Sequence, residues 1–226
     1  MTETLSEKLE RTGSAHCASA LRDWLPELEQ LPWPDAAGLR IDLNRPGLNG
    51  LRGTLEAFAS DQLGVRMQAV RATLFDKCLT SNWSLGWHQD RTVAVSGGRR
   101  PPGYKCWNRK SGVDHCQPPL PILRRMLTAR VHLDPVDDSN GPLEILEASH
   151  AGGVLTSGAI TEVVKTGTRL SCFANPGDIW LYKTLIVHRS GASNSSNRRR
   201  VLQLDFSPDS ALPGGVSWAF ARKGNA

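Results

Sequence analysis

The segment Gly86-Trp87-His88-Gln89-Asp90 sets an imidazole and a carboxylate two residues apart. In an extended chain residues i and i+2 point to the same side, so His88 and Asp90 can present a ring nitrogen and a carboxylate oxygen to one point. Two histidines and one carboxylate on one face of a ferrous ion leave three positions open, the arrangement used by non-haem iron oxygenases. His188 is the best candidate for the second histidine, 100 residues further on, at the end of the apolar, strand-like run from Ile179 to Val187. Eleven residues later Arg199 stands at the head of another such run, Val201-Leu202-Gln203-Leu204. A guanidinium fork grips a carboxylate in bidentate fashion, so an arginine there suits a metal-chelating dicarboxylate co-substrate. Ser190 is placed to donate a hydroxyl to the same ligand.

These residues need a scaffold of strands. From Val65 onward the chain breaks into short extended runs: Met67 to Phe75, Trp83 to His88, Arg91 to Val95, Met126 to Leu133, Leu143 to Leu146, Glu162 to Val164, Arg169 to Phe173, Ile179 to Tyr182 and Val201 to Phe206. Many short strands with Gly- and Pro-rich turns point to a mainly β sandwich or barrel. Helical spacing marks Ser14 to Leu31, through Cys17, Ala20, Leu21, Trp24, Leu25, Leu28 and Leu31, and again Leu48 to Leu63. Residues 1–64 are therefore read as a helical N-terminal part, with a loop and a short extended piece between the two helices. The polar segment Ser96 to Leu123, rich in Pro and Gly, reads as a long loop beside the site, because loops of that length in a compact domain are usually functional.

A chain of 226 residues is long enough for one large domain without disulfides or a structural metal. Hydrophobic residues at 39 % and charged ones at 22 % exclude a disordered chain, a collagen or a coiled coil. Lysine and arginine number 27 against 22 acids, too small an excess on this length to indicate nucleic acid as a partner. Five cysteines without a CxxC pair suit a reducing compartment. The charged start of the chain and the lack of any apolar stretch near the ~20 residues of a membrane span give a cytoplasmic protein as the expectation.

In this order, His88-x-Asp90, Asn140-Gly141-Pro142-Leu143, Ser149-His150, Pro176-Gly177-Asp178, His188-x-Ser190 and Arg199-Arg200 resemble the phytanoyl-CoA dioxygenase-like Fe(II)/2-oxoglutarate-dependent oxygenases. The similarity runs from about Val65 to Pro208. The resemblance implies a double-stranded β-helix, a cupin-like jelly roll at residues 65–208 of a single oxygenase domain (1–226), with the N-terminal helices packed outside. It also implies that His88, Asp90 and His188 hold Fe(II) and that Arg199, helped by Ser190, holds the distal carboxylate of 2-oxoglutarate. Reaction with O2 would then give succinate, CO2 and a hydroxylated product. Halogenating relatives replace the acidic ligand by a small residue, so Asp90 favours hydroxylation. On the strands of such a roll Arg71, Thr73 and Lys77 share one face, as do Thr128, Arg130 and His132. Arg71 and Arg130 follow as further cofactor- or substrate-binding residues, and an anionic small molecule follows as the substrate.

Rival readings remain. His132-Leu133-Asp134 is a second HxD, read as a strand end whose carboxylate organises the following turn. Cys106, His115 and Cys116 are too few and too irregular for a zinc site. His150 is read as structural, His16 as a helix residue, and Trp87 and Trp107 as the tryptophans nearest substrate. A metal-binding jelly-roll module without turnover, acting as a sensor or isomerase, stands as the alternative function. A demethylase-type oxygenase of nucleic acid or protein has only the basic charge in its favour.

Overall fold

The computed structural model describes residues 3–45, 47–110 and 112–220. From the N-terminus, α1 (Leu5–Thr12) leads into β1 (Ser14–Cys17), then α2 (Leu25–Glu29), β2 (Leu39–Ile41) and α3 (Asn49–Leu63). Five strands follow: β3 (Gln68–Lys77), β4 (Leu85–His88), β5 (Val93–Ser96), β6 (Lys105–Lys110) and β7 (Val113–Gln117). After α4 (Leu120–Arg125) come β8 (Leu127–His132), β9 (Leu143–Leu146) and α5 (Ser157–Thr166). The described chain ends with β10 (Arg169–Cys172), β11 (Ile179–Lys183), β12 (His188–Ser190), β13 (Arg199–Ser207) and β14 (Ser217–Trp218).

The strands form three antiparallel sheets. A six-stranded sheet has the order β1-β11-β8-β13-β3-β2, and a four-stranded one has the order β10-β9-β12-β4. Leu143, Ile145 and Cys172 of the smaller sheet pack against Trp180 and Tyr182 of the larger, which closes the two into a jelly roll. A third sheet, β14-β5-β7-β6, extends from one side. Among the described residues no helix is long and apolar enough to cross a membrane.

Two-residue alternation in the larger sheet divides its faces. Ala72 and Leu74 of β3, Ala129 and Val131 of β8, and Leu202 and Leu204 of β13 share one core with Leu9 of α1 and with Leu51, Leu55 and Ala59 of α3. The N-terminal helices thus pack on the outer face, and each fully buried leucine there contributes roughly 1.5–3 kcal/mol relative to exposure. The alternate residues, Arg71, Thr73 and Phe75 on β3 and Arg199 and Gln203 on β13, are left to face the interior of the roll. The pattern that builds the outer core therefore also aims the polar side chains inward.

Helix α1 starts with a reciprocal cap, in which Thr4 accepts from the Glu7 N–H while Glu7 reaches back to the Thr4 N–H, and it stops at Gly13, whose φ of +83° is left-handed. The apolar spacing of Ser14 to Leu31 does not make a helix. Ser14–Cys17 pair with Tyr182–Ile179 as an edge strand, and only Leu25–Glu29 are α-helical. Cross-strand pairing and the Gly13 stop override a pattern that local spacing favours. The N-terminal part accordingly mixes three helices with two strands.

The 96–123 segment is likewise not a loop. It holds the hairpin β6–β7 and the start of α4, with Cys116 and Ile122 buried against Val93, Val95 and Trp218. Glu162 to Val164 lies inside α5 instead of forming a strand. Thr156 caps that helix by accepting the Ala159 N–H at 3.2 Å, and Ile160 anchors it in the core, which outweighs the β-propensity of two adjacent valines.

Candidate active site

His188 opens β12 and lies directly opposite His88, the last residue of β4, in the antiparallel register of the smaller sheet. The two rings stand 4.2 Å apart between centroids, and Asp90 Oδ2 is 4.0 Å from His188 Nε2. One ligand atom from each of His88, Asp90 and His188 lies within 4.8 Å of the others. Among the described residues this is the one group of three His, Cys, Asp or Glu side chains converging in this way.

The ring orientations are set by backbone. His88 Nδ1 lies 2.8 Å from the Gly86 carbonyl and His188 Nδ1 2.9 Å from the Ile186 carbonyl. A carbonyl only accepts, so each Nδ1 carries the proton and each Nε2 keeps its lone pair, the form in which imidazole binds a metal. Burial pushes the His188 pKa down to about 4 against the opposing pull of Asp90, which keeps the ring neutral. Burial alone would raise the Asp90 carboxyl, but the pull of His188 and His88, which acts only when those rings are protonated, together with the charges of Arg71 and Arg130 lowers the group from its ordinary value. Between His88 and Asp90, Gln89 points the other way. It donates to the carbonyls of Gly153 (2.8 Å) and Leu185 (2.6 Å) and accepts the Leu155 N–H, pinning the irregular stretch after β4 in which Asp90 sits.

The three side chains open onto a cavity of about 610 Å³ between the sheets. Its walls include Arg71, Thr73, Phe75, Trp83, Arg130, Ser190 and Arg199, with Arg40 and Lys110 among the other cations. The triple arginine resolves as its spacing suggests. Arg198 pairs outward with Asp76, Arg200 pairs with Asp134 and Glu29, and Arg199 turns inward, 2 % exposed. Arg199 Nε and Nη1 have no partner, and Nη2 reaches only Ser190 Oγ at 3.3 Å. Burial, then the charge of Arg130, pushes its pKa down to about 9.

Ser190 has its hydroxyl fully engaged. It donates to the Gly141 carbonyl at 3.1 Å and accepts from Arg199 and from Lys77 Nζ at 3.2 Å. The serine is therefore an acceptor that steadies two cations, where the sequence suggested a donor to the ligand. Gly141 is required at this junction: its φ is +64°, and a Cβ there would lie 2.4 Å from the Gly191 carbonyl oxygen. Gly141→Ala is expected to destabilise the protein by about 1–3 kcal/mol, a melting temperature lower by several degrees. A thermal melt that does not move would show that the junction relaxes freely.

Arg71 and Arg130 reach the cavity with different freedom. Arg71 is engaged by Asp205 and by the Thr92 carbonyl, whereas Arg130 donates to Gln203 Oε1 at 2.8 Å and leaves Nε unpartnered. Trp87 and Trp107 do not line this cavity. Trp87 lies under Arg169 and Arg189, and Trp107 under Arg100, while Trp83 lines the wall beside Phe75. Residue 83 lies on the run leading into the HxD, the signal by which it could have been found. The rival Asp134 is taken by Arg200, and His132 is buried without a partner on either ring nitrogen. His16 is on β1, not a helix, and bonds Asp178 at 2.9 Å. Asp178 in turn accepts the N–H groups of Ser19 and Asn175, closing the Pro176-Gly177-Asp178 turn.

The architecture has known counterparts. AviO1 from Streptomyces viridochromogenes Tue57 superposes with a TM-score of 0.65 over 95 % of this chain and 100 % of its own, at 20 % identity. EctD from S. alaskensis, in its apo form, gives 0.66 over 98 % and 84 %, at 18 % identity. SnoN, a non-haem alpha-ketoglutarate-dependent epimerase from nogalamycin biosynthesis, gives 0.62 over 89 % and 80 %, at 17 % identity. At such identities the likeness speaks for the fold alone. Comparison with curated proteins by sequence gives no match. The sequence pattern described as Phytanoyl-CoA dioxygenase (PhyH) matches residues 66–201, which span every strand from β3 to β12, the HxD, His188 and Arg199. With more than half of its length in that pattern, the chain belongs to the phytanoyl-CoA dioxygenase (PhyH) family.

Proposed function

We propose that the protein is an Fe(II)- and 2-oxoglutarate-dependent dioxygenase that hydroxylates a small anionic molecule and releases succinate and CO2. The observation that carries this reading is the pairing of two features in one cavity: the His88, Asp90 and His188 group with both Nε2 atoms free, and Arg199 buried with two N–H-bearing nitrogens unpartnered. Buried donors without acceptors are rare, so this end of the cavity fits an arriving carboxylate. SnoN has been solved with Fe3+ and alpha-ketoglutarate, and EctD with 2-oxoglutarate and 5-hydroxyectoine, on the same fold.

In this reading His88, Asp90 and His188 hold the iron, and Arg199 takes the distal carboxylate of 2-oxoglutarate as a two-pronged donor. The bound metal supplies oxygen activation coupled to oxidative decarboxylation of the oxo acid. The chain supplies position and dryness. The smaller sheet fixes the histidine spacing through the His88–His188 register, and Phe75, Trp83, Leu39 and Leu85 give the cavity an apolar side. Arg40, Arg71 and Arg130 give it a positive one, which favours a substrate bearing a carboxylate or phosphate. Asp90 as the third ligand favours hydroxylation over halogenation.

The test is anaerobic addition of Fe(II) and 2-oxoglutarate to the metal-free protein, followed in the visible range, and then exposure to air. A weak charge-transfer band and release of succinate are expected. Stoichiometric iron binding with neither band nor succinate would instead favour the metal-binding module without turnover.

A further inference from the structure

Of the described side chains that line the cavity, Asp90 is the one acid, and it belongs to the histidine group. Most of the cations there are engaged within the chain. Arg71 pairs with Asp205, Arg189 pairs with Glu144, and Arg130 donates to Gln203, while Lys110 is exposed to solvent. Arg40 differs from all of them. It stands in the middle of β2, the edge strand of the larger sheet, and its register partner is Thr73 of β3. Cross-strand partners share a face, so half-buried Arg40 joins Thr73 in lining the cavity. Among the described residues it has no hydrogen bond and no ion pair. Burial, then the charge of Arg71, lowers its pKa against the pull of Asp205.

Arg40 is also well separated from the arginine assigned to 2-oxoglutarate. Arg199 is opposite Lys77, four residues beyond Thr73 on β3 and on the other flank of that strand, so about 13 Å of strand lies between the two places. Beside Arg40 the wall is apolar. Gly38 lies against Phe75, where a Cβ would come within 3.2 Å of the ring, and Trp83 packs on Phe75 at 6.3 Å between centroids. Leu85 completes this wall and is 52 % exposed, so apolar area is left for a ligand to cover.

We propose that Arg40 is a specificity-determining residue, which receives the carboxylate of a substrate whose apolar body lies along Phe75, Trp83 and Leu85. The proposal deepens the functional reading above and rests on it. Arg71 and Arg130, held by Asp205 and Gln203, add to the field of the cavity, and Arg40 is the guanidinium left to meet an incoming carboxylate as a two-pronged donor. One such cation balances one negative charge. Half-burial strengthens the pair over one on the open surface, because salt and water screen it less.

The experiment is anaerobic calorimetric titration of protein loaded with Fe(II) and saturating 2-oxoglutarate, with 3-phenylpropanoate and the neutral 3-phenylpropan-1-ol as probes. The visible band of the loaded site is recorded first. Wild type is expected to bind the carboxylate roughly 10-fold or more tightly than the alcohol, and Arg40→Met to lose that difference while binding the alcohol as before. An unchanged preference in Arg40→Met, or equal weakening of both probes, would overturn the assignment, the latter because it marks a general structural role. Should Arg40→Met not fold, Arg40→Gln is read by the same criteria. Wild type in which the band never forms removes the co-substrate reading, and this proposal with it. Wild type that forms the band but binds both probes equally, or neither, leaves that reading standing and refutes only the role of Arg40.

Discussion

In His188→Ala, Fe(II) affinity is expected to drop by more than about 100-fold, since losing even an outer partner of a ligating histidine costs roughly 10–100-fold. His188 is the most buried of the three converging side chains, and its Nδ1 is already committed to the Ile186 carbonyl, so its Nε2 is the nitrogen that faces Asp90, 4.0 Å away. Succinate production should fall to background with it. The fold should survive, because β12 keeps its ladder to β9 through Arg189 and Ser190, and Arg189 keeps its bidentate pair with Glu144. Metal content by atomic absorption, alongside a circular dichroism spectrum, checks both halves. Wild-type iron content in a folded His188→Ala protein would remove His188 from the ligand set.

Replacing Arg199 should separate binding from stability. Arg199→Gln is expected to weaken 2-oxoglutarate binding by roughly 30-fold or more, since truncating one partner of a buried, hydrogen-bonded charge pair costs about 2–5 kcal/mol. Without the co-substrate, however, Arg199 is a buried cation with no acid beside it, and its depressed pKa shows that the folded state disfavours its charge. Removing that charge relieves Lys77 and Arg130 as well, so the variant without ligand should melt no lower than wild type and is expected to melt higher. The two signs are opposite, which an ordinary packing residue would not give. A variant that loses stability and binding together would mean that Arg199 supports the roll more than the ligand.

Much of this site was legible from residue type and spacing. His88 and Asp90 converge as two-residue spacing in an extended chain leads one to expect, and β4 ends at His88. The same alternation foretold that Arg71 and Thr73 share a face with Lys77, and that Arg130 shares one with Thr128 and His132. It also foretold one inward arginine among three, because the neighbours of an inward strand residue must point outward. The ends of β9 were met to the residue and those of β11 to within one.

The misreadings have one source. Ser14–Cys17 carries apolar spacing compatible with a helix, and only its partner β11, more than 160 residues away, makes it a strand. Residues 96–123 look like a loop in composition, and become a hairpin because β7 finds β5 on one side and β6 on the other. Val163 and Val164 favour a strand locally, but Thr156 and Ile160 hold them in a helix. In each case a contact distant in sequence, or a cap upstream, outweighed a preference worth a fraction of a kcal/mol per residue.

From the sequence alone came the candidate residue types, their order and the faces they occupy, because periodicity and side-chain chemistry are properties of the chain itself. The tertiary structure decided which charges are paired. Asp205 finds Arg71, Asp76 finds Arg198 and Asp134 finds Arg200, and Arg199 and Lys77 are left together without an acid. That outcome depends on cross-strand register between β3, β8 and β13, which no local pattern encodes. It leaves buried cations without partners of their own, the condition under which a buried cation can attract an anionic ligand.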